Sequence, residues 1–242
     1  MRNPDRWAPS KFVFRRGRLA ASRDLHEVSP ASRLIGDIQA EVCERLLREH
    51  ARGRLIDLGC GKCPLYVVYR DLVSETVCID WPGTLHKSPF LDLEADLNRT
   101  LSLESASCDT VLLTDVLEHI RKPDALISEI ARILRPGGKL LLTVPFFYWL
   151  HEQPHDFFRY TRYALEEFCR APGLAILELS EYGGAPEILL DILGKQLASR
   201  PRVAGAFSAL ATWLTGTRLS RRISRISREK FPLGYCLVAT KS

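Results

Sequence analysis

Residues 54–65 read RLIDLGCGKCPL, and a second apolar stretch, VCID, follows at residues 77–80. Each stretch carries an acid, Asp57 or Asp80, and the first continues into a turn that contains Gly59 and Gly61. Glycines let the backbone approach a ligand closely, and an acid at the tip of the next strand can accept both hydroxyls of a ribose. The pattern therefore predicts a nucleoside-binding site at the ends of two neighbouring strands.

A dinucleotide site is the nearest alternative, and the glycine spacing argues against it. The dinucleotide fingerprint G-x-G-x-x-G needs a third glycine, but Pro64 occupies that position here. The carboxylate of Asp57 also favours a cationic ligand group and would repel a pyrophosphate. A nicotinamide oxidoreductase is therefore the weaker interpretation, and ligand binding alone would reveal it.

On these residues and the segments after them, the chain resembles the class I S-adenosylmethionine-dependent methyltransferases. EADLN at residues 94–98 resembles the loop after the third strand of that family, and CDTVLLTDVLEHI at 108–120 resembles the fourth strand with its loop. ALISEIARILRPGGKLLLTVP at 125–145 resembles a helix, a Pro-Gly-Gly turn and the fifth strand. The order and spacing of these pieces carry the resemblance, which covers the core of the chain.

The resemblance implies S-adenosylmethionine as the cofactor. Asp57 would face its methionyl ammonium group, Asp80 its ribose, and Asp96 the amino group of its adenine. The same resemblance assigns further positions to the cofactor site, which are Gly59, Cys60, Gly61, Trp81, Leu97 and Thr114.

Alternating strands and helices predict an α/β fold with a doubly wound, Rossmann-like sheet. Seven strands are predicted, near residues 54–58, 76–80, 90–93, 110–114, 139–144, 175–179 and 234–241. The resemblance implies that the last strand is antiparallel to the others. One methyltransferase domain is expected over 1–242, with an N-terminal arm and lead helix (1–52), a cofactor-binding core (53–182), a helical cap insertion (183–232) and the final strand (233–242).

Composition indicates a globular protein that can bury a full core in 242 residues. Several of its seven cysteines, such as Cys78 and Cys236, lie in predicted buried strands, which predicts reduced thiols and a cytoplasmic location. No run approaches the roughly 20 apolar residues that a membrane span needs. The oligomeric state is not predicted by any feature of the sequence.

Charge is distributed unevenly along the chain. Formal net charge is +6 over residues 1–23, −10 over 24–194 and +9 over 195–242. In the stretch LSRRISRIS at 219–227, Leu219, Ile223 and Ile226 share one helical face, and Arg221, Arg225 and Arg228 share another. We expect a cap over the substrate pocket with its arginines in water. Peripheral contact of residues 218–230 with the inner face of the membrane stays open as an addition.

The segment PFFYWLHEQPHDFFRYT at residues 145–161 contains the zinc-protease pattern H-E-x-x-H at 151–155. That pattern needs both histidines on one face of a helix, and Pro154 would interrupt such a helix. No metal site is therefore expected. The segment instead resembles a bacterial branch of the methyltransferases with HE-x-x-x-DFFRYT after the fifth strand, whose glycine motif reads GCGK-x-P and whose second strand ends in the pair Asp80-Trp81.

A loop after the fifth strand would face the methyl group of the cofactor. His151, His155 and His119 are therefore the candidate catalytic bases, because imidazole can take a proton near neutral pH. The acceptor is predicted to be a small molecule or glycan: a hydroxyl or amine of a sugar, a glycolipid or a natural product. Nucleic acid is disfavoured because the core is acidic. The alternative is a non-catalytic methyltransferase-like subunit that binds a partner or a membrane through its basic helices.

Overall fold

Apolar runs and amphipathic stretches alternate along the chain. The computed structural model describes residues 1–84 and 88–242. In these residues the strands are β1 (Phe12–Arg15), β2 (Arg18–Ala21), β3 (Arg54–Leu58), β4 (Glu75–Asp80), β5 (Leu93–Glu94), β6 (Cys108–Thr114), β7 (Leu134–Pro145), β8 (Leu174–Tyr182) and β9 (Gly234–Lys241). The α-helices are α1 (Arg33–His50), α2 (Tyr66–Tyr69), α3 (Pro123–Ile133), α4 (Arg162–Arg170), α5 (Ala185–Gln196), α6 (Pro201–Thr215) and α7 (Arg218–Ser227).

The main sheet has seven strands in the order β5-β4-β3-β6-β7-β9-β8. Strands β5, β4, β3, β6 and β7 pair in parallel, and β9 pairs antiparallel with both β7 and β8. The predicted fold and the antiparallel last strand are confirmed. The chain runs from β3 outward to β5 and then returns to β6, so the order reverses between β3 and β6, where doubly wound proteins bind their ligands.

Both faces of the sheet are covered by helices. Neighbouring residues of β3 point to opposite faces, because side chains alternate along a strand. Ile56 packs in a core cluster with Leu126 and Ile130 of α3, whereas Leu55 packs with Leu46 and Leu47 of α1. A strand that is apolar on both faces is typical of a buried parallel sheet.

Some element boundaries differ from the prediction. The third strand of the sheet begins at Leu93, and the predicted range 90–93 was too early. A 3₁₀ turn (Pro30–Ser32) precedes the predicted lead helix, which begins at Arg33. The Pro-Gly-Gly turn forms a bulge inside the β7 pairing, where the partners shift between Cys108 and Thr110.

The N-terminal arm contains a β-hairpin that the sequence did not predict. Arg16 and Gly17 form its turn with φ angles of 52° and 79°, the left-handed conformation that two-residue hairpin loops need. The backbone N–H of Leu19 donates to Glu44 of α1 at 2.8 Å, and that of Ala21 donates to Asp37 at 2.9 Å. The hairpin therefore lies on α1, close to the ligand-binding edge of the sheet.

The insertion between β8 and β9 consists of α5, α6 and α7, as its apolar pattern predicted. Many of its large apolar side chains face outward, whereas Ile188, Leu190 and Phe207 pack in or against the core. We call the outward-facing residues the exposed apolar set; they are Leu189, Ile192, Leu193, Val203, Leu210, Trp213, Leu219, Ile223 and Ile226. Small residues such as Ala204, Ala211 and Ser224 are buried instead. Among the described residues, none of the helices combines the length and apolar character that crossing a membrane requires.

Candidate functional site

A cavity of about 880 Å³ lies at the carboxyl ends of β3, β4, β6 and β7. Its walls also include residues of the N-terminal arm and of α1, such as Lys11, His26 and Gln39. The amide of Gln39 donates to Asp115 at 2.9 Å, and the ammonium of Lys11 lies 3.8 Å from the same carboxylate. The arm therefore forms one side of the cavity, which the sequence did not predict.

All nine predicted cofactor residues line this one cavity, and so do the three candidate histidines. The structure thus brings together residues from five separate segments of the chain. Their individual roles stay predictions.

The glycine loop after β3 has the conformation that a close ligand approach requires. Gly59 and Gly61 have φ angles of 72° and 52°. A Cβ atom at Gly59 would overlap the side chain of Val116. The backbone N–H of Gly59 donates to the carbonyl of Ile79 at 2.8 Å, which fixes the loop against β4. The bare backbone therefore suits a nucleoside and cannot carry a side chain at Gly59.

Asp80 ends β4 beside this loop. One of its oxygens accepts from the backbone N–H of Gly61 at 2.9 Å, and the other accepts from that of Trp81 at 2.8 Å. A carboxylate oxygen can accept more than one hydrogen bond, and a contact of Asp80 with the ribose hydroxyls stays a prediction. The carboxylate is held in position by backbone donors and lines the cavity.

Asp57 lies deeper in the cavity wall, at the centre of the sheet edge. The hydroxyl of Tyr69 donates to one of its oxygens at 2.9 Å. Burial raises the pKa of Asp57 well above its usual value, because the charged form has little water around it. A cationic ligand group beside Asp57 would favour the charged carboxylate, as the predicted contact with a methionyl ammonium requires.

Asp96 follows β5 at the adenine end of the predicted site. One oxygen of its carboxylate accepts from the backbone and the side-chain amide of Asn98, each at 3.0 Å. Hydrogen bonding to the Asn98 backbone lowers the pKa of Asp96, so this group is charged near neutral pH.

Trp81 also lines the cavity, and the centroid of its ring lies 5.2 Å from that of the His155 ring.

The segment around the histidines is not helical, so His151 and His155 do not share a helix face. The rings of His119 and His151 are instead neighbours, with centroids 4.7 Å apart. Nε2 of each lies 3.8 Å from Oε1 of Glu118. Burial, followed by the influence of His119, lowers the pKa of His151, which favours the neutral imidazole.

Glu118 is the residue of this site to which the sequence assigned no role. Its side chain is fully buried (0% exposed), and neither carboxylate oxygen has a hydrogen-bond partner among the described residues. Burial, together with the nearby Asp115, raises its pKa well above the usual value. The only feature of the sequence that could have indicated a role for Glu118 was its position after β6 and directly before His119.

Asp156 and Arg159 hold the histidine segment in place. Arg159 donates to both oxygens of Asp156, at 2.6 and 2.8 Å, and Asp156 also accepts from the backbone N–H of His151 at 3.0 Å. Burial opposes the charged form of Asp156, but the hydrogen bonds from Arg159 prevail and lower its pKa to about 2. The pair orients His151 and lies behind the cavity.

The insertion contacts residues of the cavity wall from outside. Among the described residues, none from 183–232 lines the cavity. Lys195 of α5 donates to the hydroxyl of Ser32 at 2.7 Å and to that of Tyr148 at 3.3 Å, and these two residues do line it. The helices of the insertion pack beside the 3₁₀ turn and α1. A cap over the substrate pocket stays a prediction.

Residues 31–179 match a family described as a methyltransferase domain. A ubiquinone biosynthesis O-methyltransferase of Xanthomonas oryzae pv. oryzae is 33% identical over 103 residues, which cover 38% of this chain and 43% of that protein. The chain thus spans less than half the length of this curated relative.

Two solved structures show the same fold. A S-adenosylmethionine-dependent methyltransferase from Archaeoglobus fulgidus has a TM-score of 0.55 and 15% identity, over 87% of this chain and 97% of that chain. The [4+2]-cyclase SpnF has a TM-score of 0.53 and 24% identity, over 84% and 82% of the two chains. The second protein is named for a different reaction, so the fold alone does not specify the chemistry.

Proposed function

Because the chain belongs to the methyltransferase domain family, whose cofactor is S-adenosylmethionine, we propose that it transfers the cofactor's methyl group to a hydroxyl or amine of a sugar, a glycolipid or a natural product. One observation supports this most: a single cavity holds the complete cofactor set together with three histidines. The name of the Xanthomonas relative, an O-methyltransferase, favours oxygen as the methylated atom.

Positioning is the largest contribution that this chain's residues can make. Bound S-adenosylmethionine supplies an electrophilic methyl group. Holding an acceptor in line with it can contribute roughly 7–11 kcal/mol. A general base typically adds about 10²–10⁴-fold. His151 and His155 lie in the segment after β7, and both line the cavity together with His119.

Apolar side chains beside the cavity favour a lipid-linked acceptor. Phe147, Trp149 and Leu150 are exposed next to Tyr148 and His151, which line the cavity. The ring of Phe147 lies 6.4 Å from that of Phe231, just beyond α7. Exposed apolar residues therefore extend from the cavity entrance to the insertion, which supports a glycolipid among the candidate acceptors.

The polarity of α5 supports contact with a membrane. Glu187, Asp191 and Lys195 are buried in this helix. Three of its large apolar residues are exposed, Leu189 by 61%, Ile192 by 51% and Leu193 by 54%, whereas Ile188 is buried. A helix that buries charged side chains and exposes leucines loses hydrophobic stabilisation in water. Contact of the exposed leucines with the apolar part of a lipid bilayer would restore it.

The basic charge of the same insertion favours an anionic surface as its partner. Eight basic side chains lie at or near its surface, against the single acid Glu229; they are Arg200, Arg202, Arg218, Arg221, Arg222, Arg225, Arg228 and Lys230. Two copies of such a surface would repel each other. An anionic bilayer would attract it by roughly 1 kcal/mol for each basic residue near the lipid. We therefore propose peripheral binding of residues 218–230 and the exposed apolar set to anionic lipid.

Replacing Arg221, Arg222 and Arg225 with glutamine should weaken binding to vesicles of phosphatidylglycerol and phosphatidylcholine by at least about tenfold. Replacing Leu219, Ile223 and Ile226 with serine should weaken it as well, because these side chains would enter the lipid. Vesicle sedimentation across a salt series measures both effects. Wild-type binding should fall as salt rises, since salt screens exposed charges.

The matched control removes three charges from the hairpin, by replacing Arg15, Arg16 and Arg18 with glutamine. These arginines are equally exposed, so the net charge changes by the same amount. Vesicle binding should stay near the wild-type level. Absence of wild-type binding, or an equal loss in the control, would contradict the proposed docking surface.

The activity itself is tested by following tritium from [methyl-³H]S-adenosylmethionine into lipid and polar extracts of the source cells. We expect label in the lipid extract, dependent on the protein. Label in the polar extract alone would favour a soluble sugar or natural product. Tight cofactor binding without transfer to either extract, but with transfer after a second protein is added, would favour the non-catalytic subunit.

A further inference from the structure

We propose that Glu118, His119 and His151 form a binding site for a divalent cation inside the cavity. Each residue offers one ligand atom, and these three atoms lie within 4.8 Å of one another. Glu118 and His119 follow β6, whereas His151 follows β7, so two neighbouring strand ends supply the ligands. One carboxylate and two imidazoles form a donor set that suits Mn²⁺, Fe²⁺ or Zn²⁺.

The buried carboxylate of Glu118 points to a missing positive partner. Both of its oxygens lack a hydrogen bond among the described residues, although the side chain is fully buried. Burying a polar group without a partner is costly, so native proteins usually pair such groups. Nε2 of His119 and Nε2 of His151 each lie 3.8 Å from Oε1. A cation between these three atoms would satisfy the carboxylate.

Both imidazoles are oriented as metal ligands usually are. Nδ1 of His119 lies 2.9 Å from the carbonyl oxygen of His155. Nδ1 of His151 lies 3.3 Å from the carbonyl of Trp149 and 3.3 Å from the carboxylate of Asp156. When each Nδ1–H donates to these acceptors, the lone pair of each Nε2 faces Glu118. Metal-binding histidines typically donate their second N–H in this way.

Three protein ligands leave open coordination positions, as in catalytic metal sites. All three residues line the cavity, so an acceptor oxygen can reach such a position. This consequence rests on the proposed methyl transfer: the cation would bind the acceptor hydroxyl and lower its pKa. His155 would then be the base, and His119 and His151 would be ligands. The inference revises the expectation of a metal-free site, which considered His151 and His155 alone.

Two other clusters of potential metal ligands must be distinguished from this site in a binding experiment. The thiols of Cys60, Cys63 and Cys78 are also within 4.8 Å of one another and buried. Thiolates prefer softer cations such as Zn²⁺, whereas Mn²⁺ prefers oxygen ligands. In the cluster of Glu49, His50 and Glu178, Arg45 already pairs with both glutamates, at 3.1 and 2.6 Å. Mn²⁺ is therefore the appropriate probe.

The test is titration of the purified, chelator-treated chain with MnCl₂, followed by calorimetry and by the paramagnetic resonance of free Mn²⁺. We expect one Mn²⁺ per chain, in the absence of cofactor and acceptor. Glu118→Gln keeps the size of the side chain and should weaken binding roughly tenfold or more, as should His151→Ala. Glu49→Gln and Cys78→Ala are the matched controls and should bind Mn²⁺ like the wild type.

Absence of stoichiometric Mn²⁺ binding by the wild type would overturn the site, and so would unchanged binding by both Glu118→Gln and His151→Ala. Circular dichroism and S-adenosylmethionine affinity show whether each variant is folded. His151 is partly exposed, so its variant serves if Glu118→Gln does not fold. Because the titration needs no turnover, a failed methyl-transfer assay with intact Mn²⁺ binding would contradict the proposed function and leave the metal site standing.

Discussion

Replacing Asp80 with alanine is expected to lower the affinity for S-adenosylmethionine by about tenfold to a hundredfold. Its carboxylate is held by the backbone N–H groups of Gly61 and Trp81, and in our interpretation it accepts the ribose hydroxyls. Hydrogen bonds to a charged group contribute roughly 1.5–3 kcal/mol, and each 1.4 kcal/mol corresponds to a factor of about ten. The variant also loses the acceptor that anchors the glycine loop.

Titration calorimetry measures this loss. Glu94→Ala is the matched control, because Glu94 pairs with Asp80 in the neighbouring strand but is exposed and does not line the cavity. Its affinity should stay within about twofold of the wild type, well below the tenfold loss that a charged hydrogen bond implies. Unchanged affinity in Asp80→Ala, or tight binding of a nicotinamide dinucleotide to the wild type, would refute the assignment of this edge of the sheet.

Replacing His151 or His155 with alanine should lower the turnover of methyl transfer by about a hundredfold or more, while cofactor affinity stays near the wild-type value. Both side chains line the cavity and belong to the segment after β7, whereas the glycine loop follows β3. Loss of a base, or of a group that positions the acceptor, acts on the reaction and leaves cofactor binding intact. Tritium transfer from labelled cofactor into the accepting extract gives the rate.

His50→Ala is the control for this pair. His50 ends α1 next to Lys139 and does not line the cavity, so its removal should leave turnover unchanged. Equal turnover in the wild type and in both cavity variants would exclude the histidines from the reaction. A parallel fall in cofactor affinity would place them in the cofactor site and not beside the acceptor.

The cofactor side of the cavity was predictable because its signals are local. Gly59, Gly61 and Asp80 stand at strand ends whose periodicity is clear, and parallel strands bring their carboxyl ends to one edge. The position of each of these residues could therefore be predicted from the short segment of sequence that contains it. The order of the segments then predicted the doubly wound sheet, and the family resemblance implied the antiparallel β9.

The acceptor side depends on contacts between distant segments, which one sequence does not reveal. Glu118 meets His151 only because β6 and β7 are neighbours and the loop after β7 folds back. The hairpin was missed because its alternation is short and its turn depends on the left-handed conformation of Arg16. The helical pattern of α7 did not reveal that Leu219, Ile223 and Ile226 are exposed together with its arginines.

The outward-facing leucines and isoleucines of the insertion have a kinetic consequence if the chain docks on lipid. An enzyme held at a bilayer meets a lipid-linked acceptor by lateral diffusion, at the high effective concentration that confinement to one surface provides. Each basic side chain contributes only roughly 1 kcal/mol, so the enzyme can still leave the surface. The rate of methylation would then depend on the proportion of anionic lipid in the membrane as well as on the amount of acceptor.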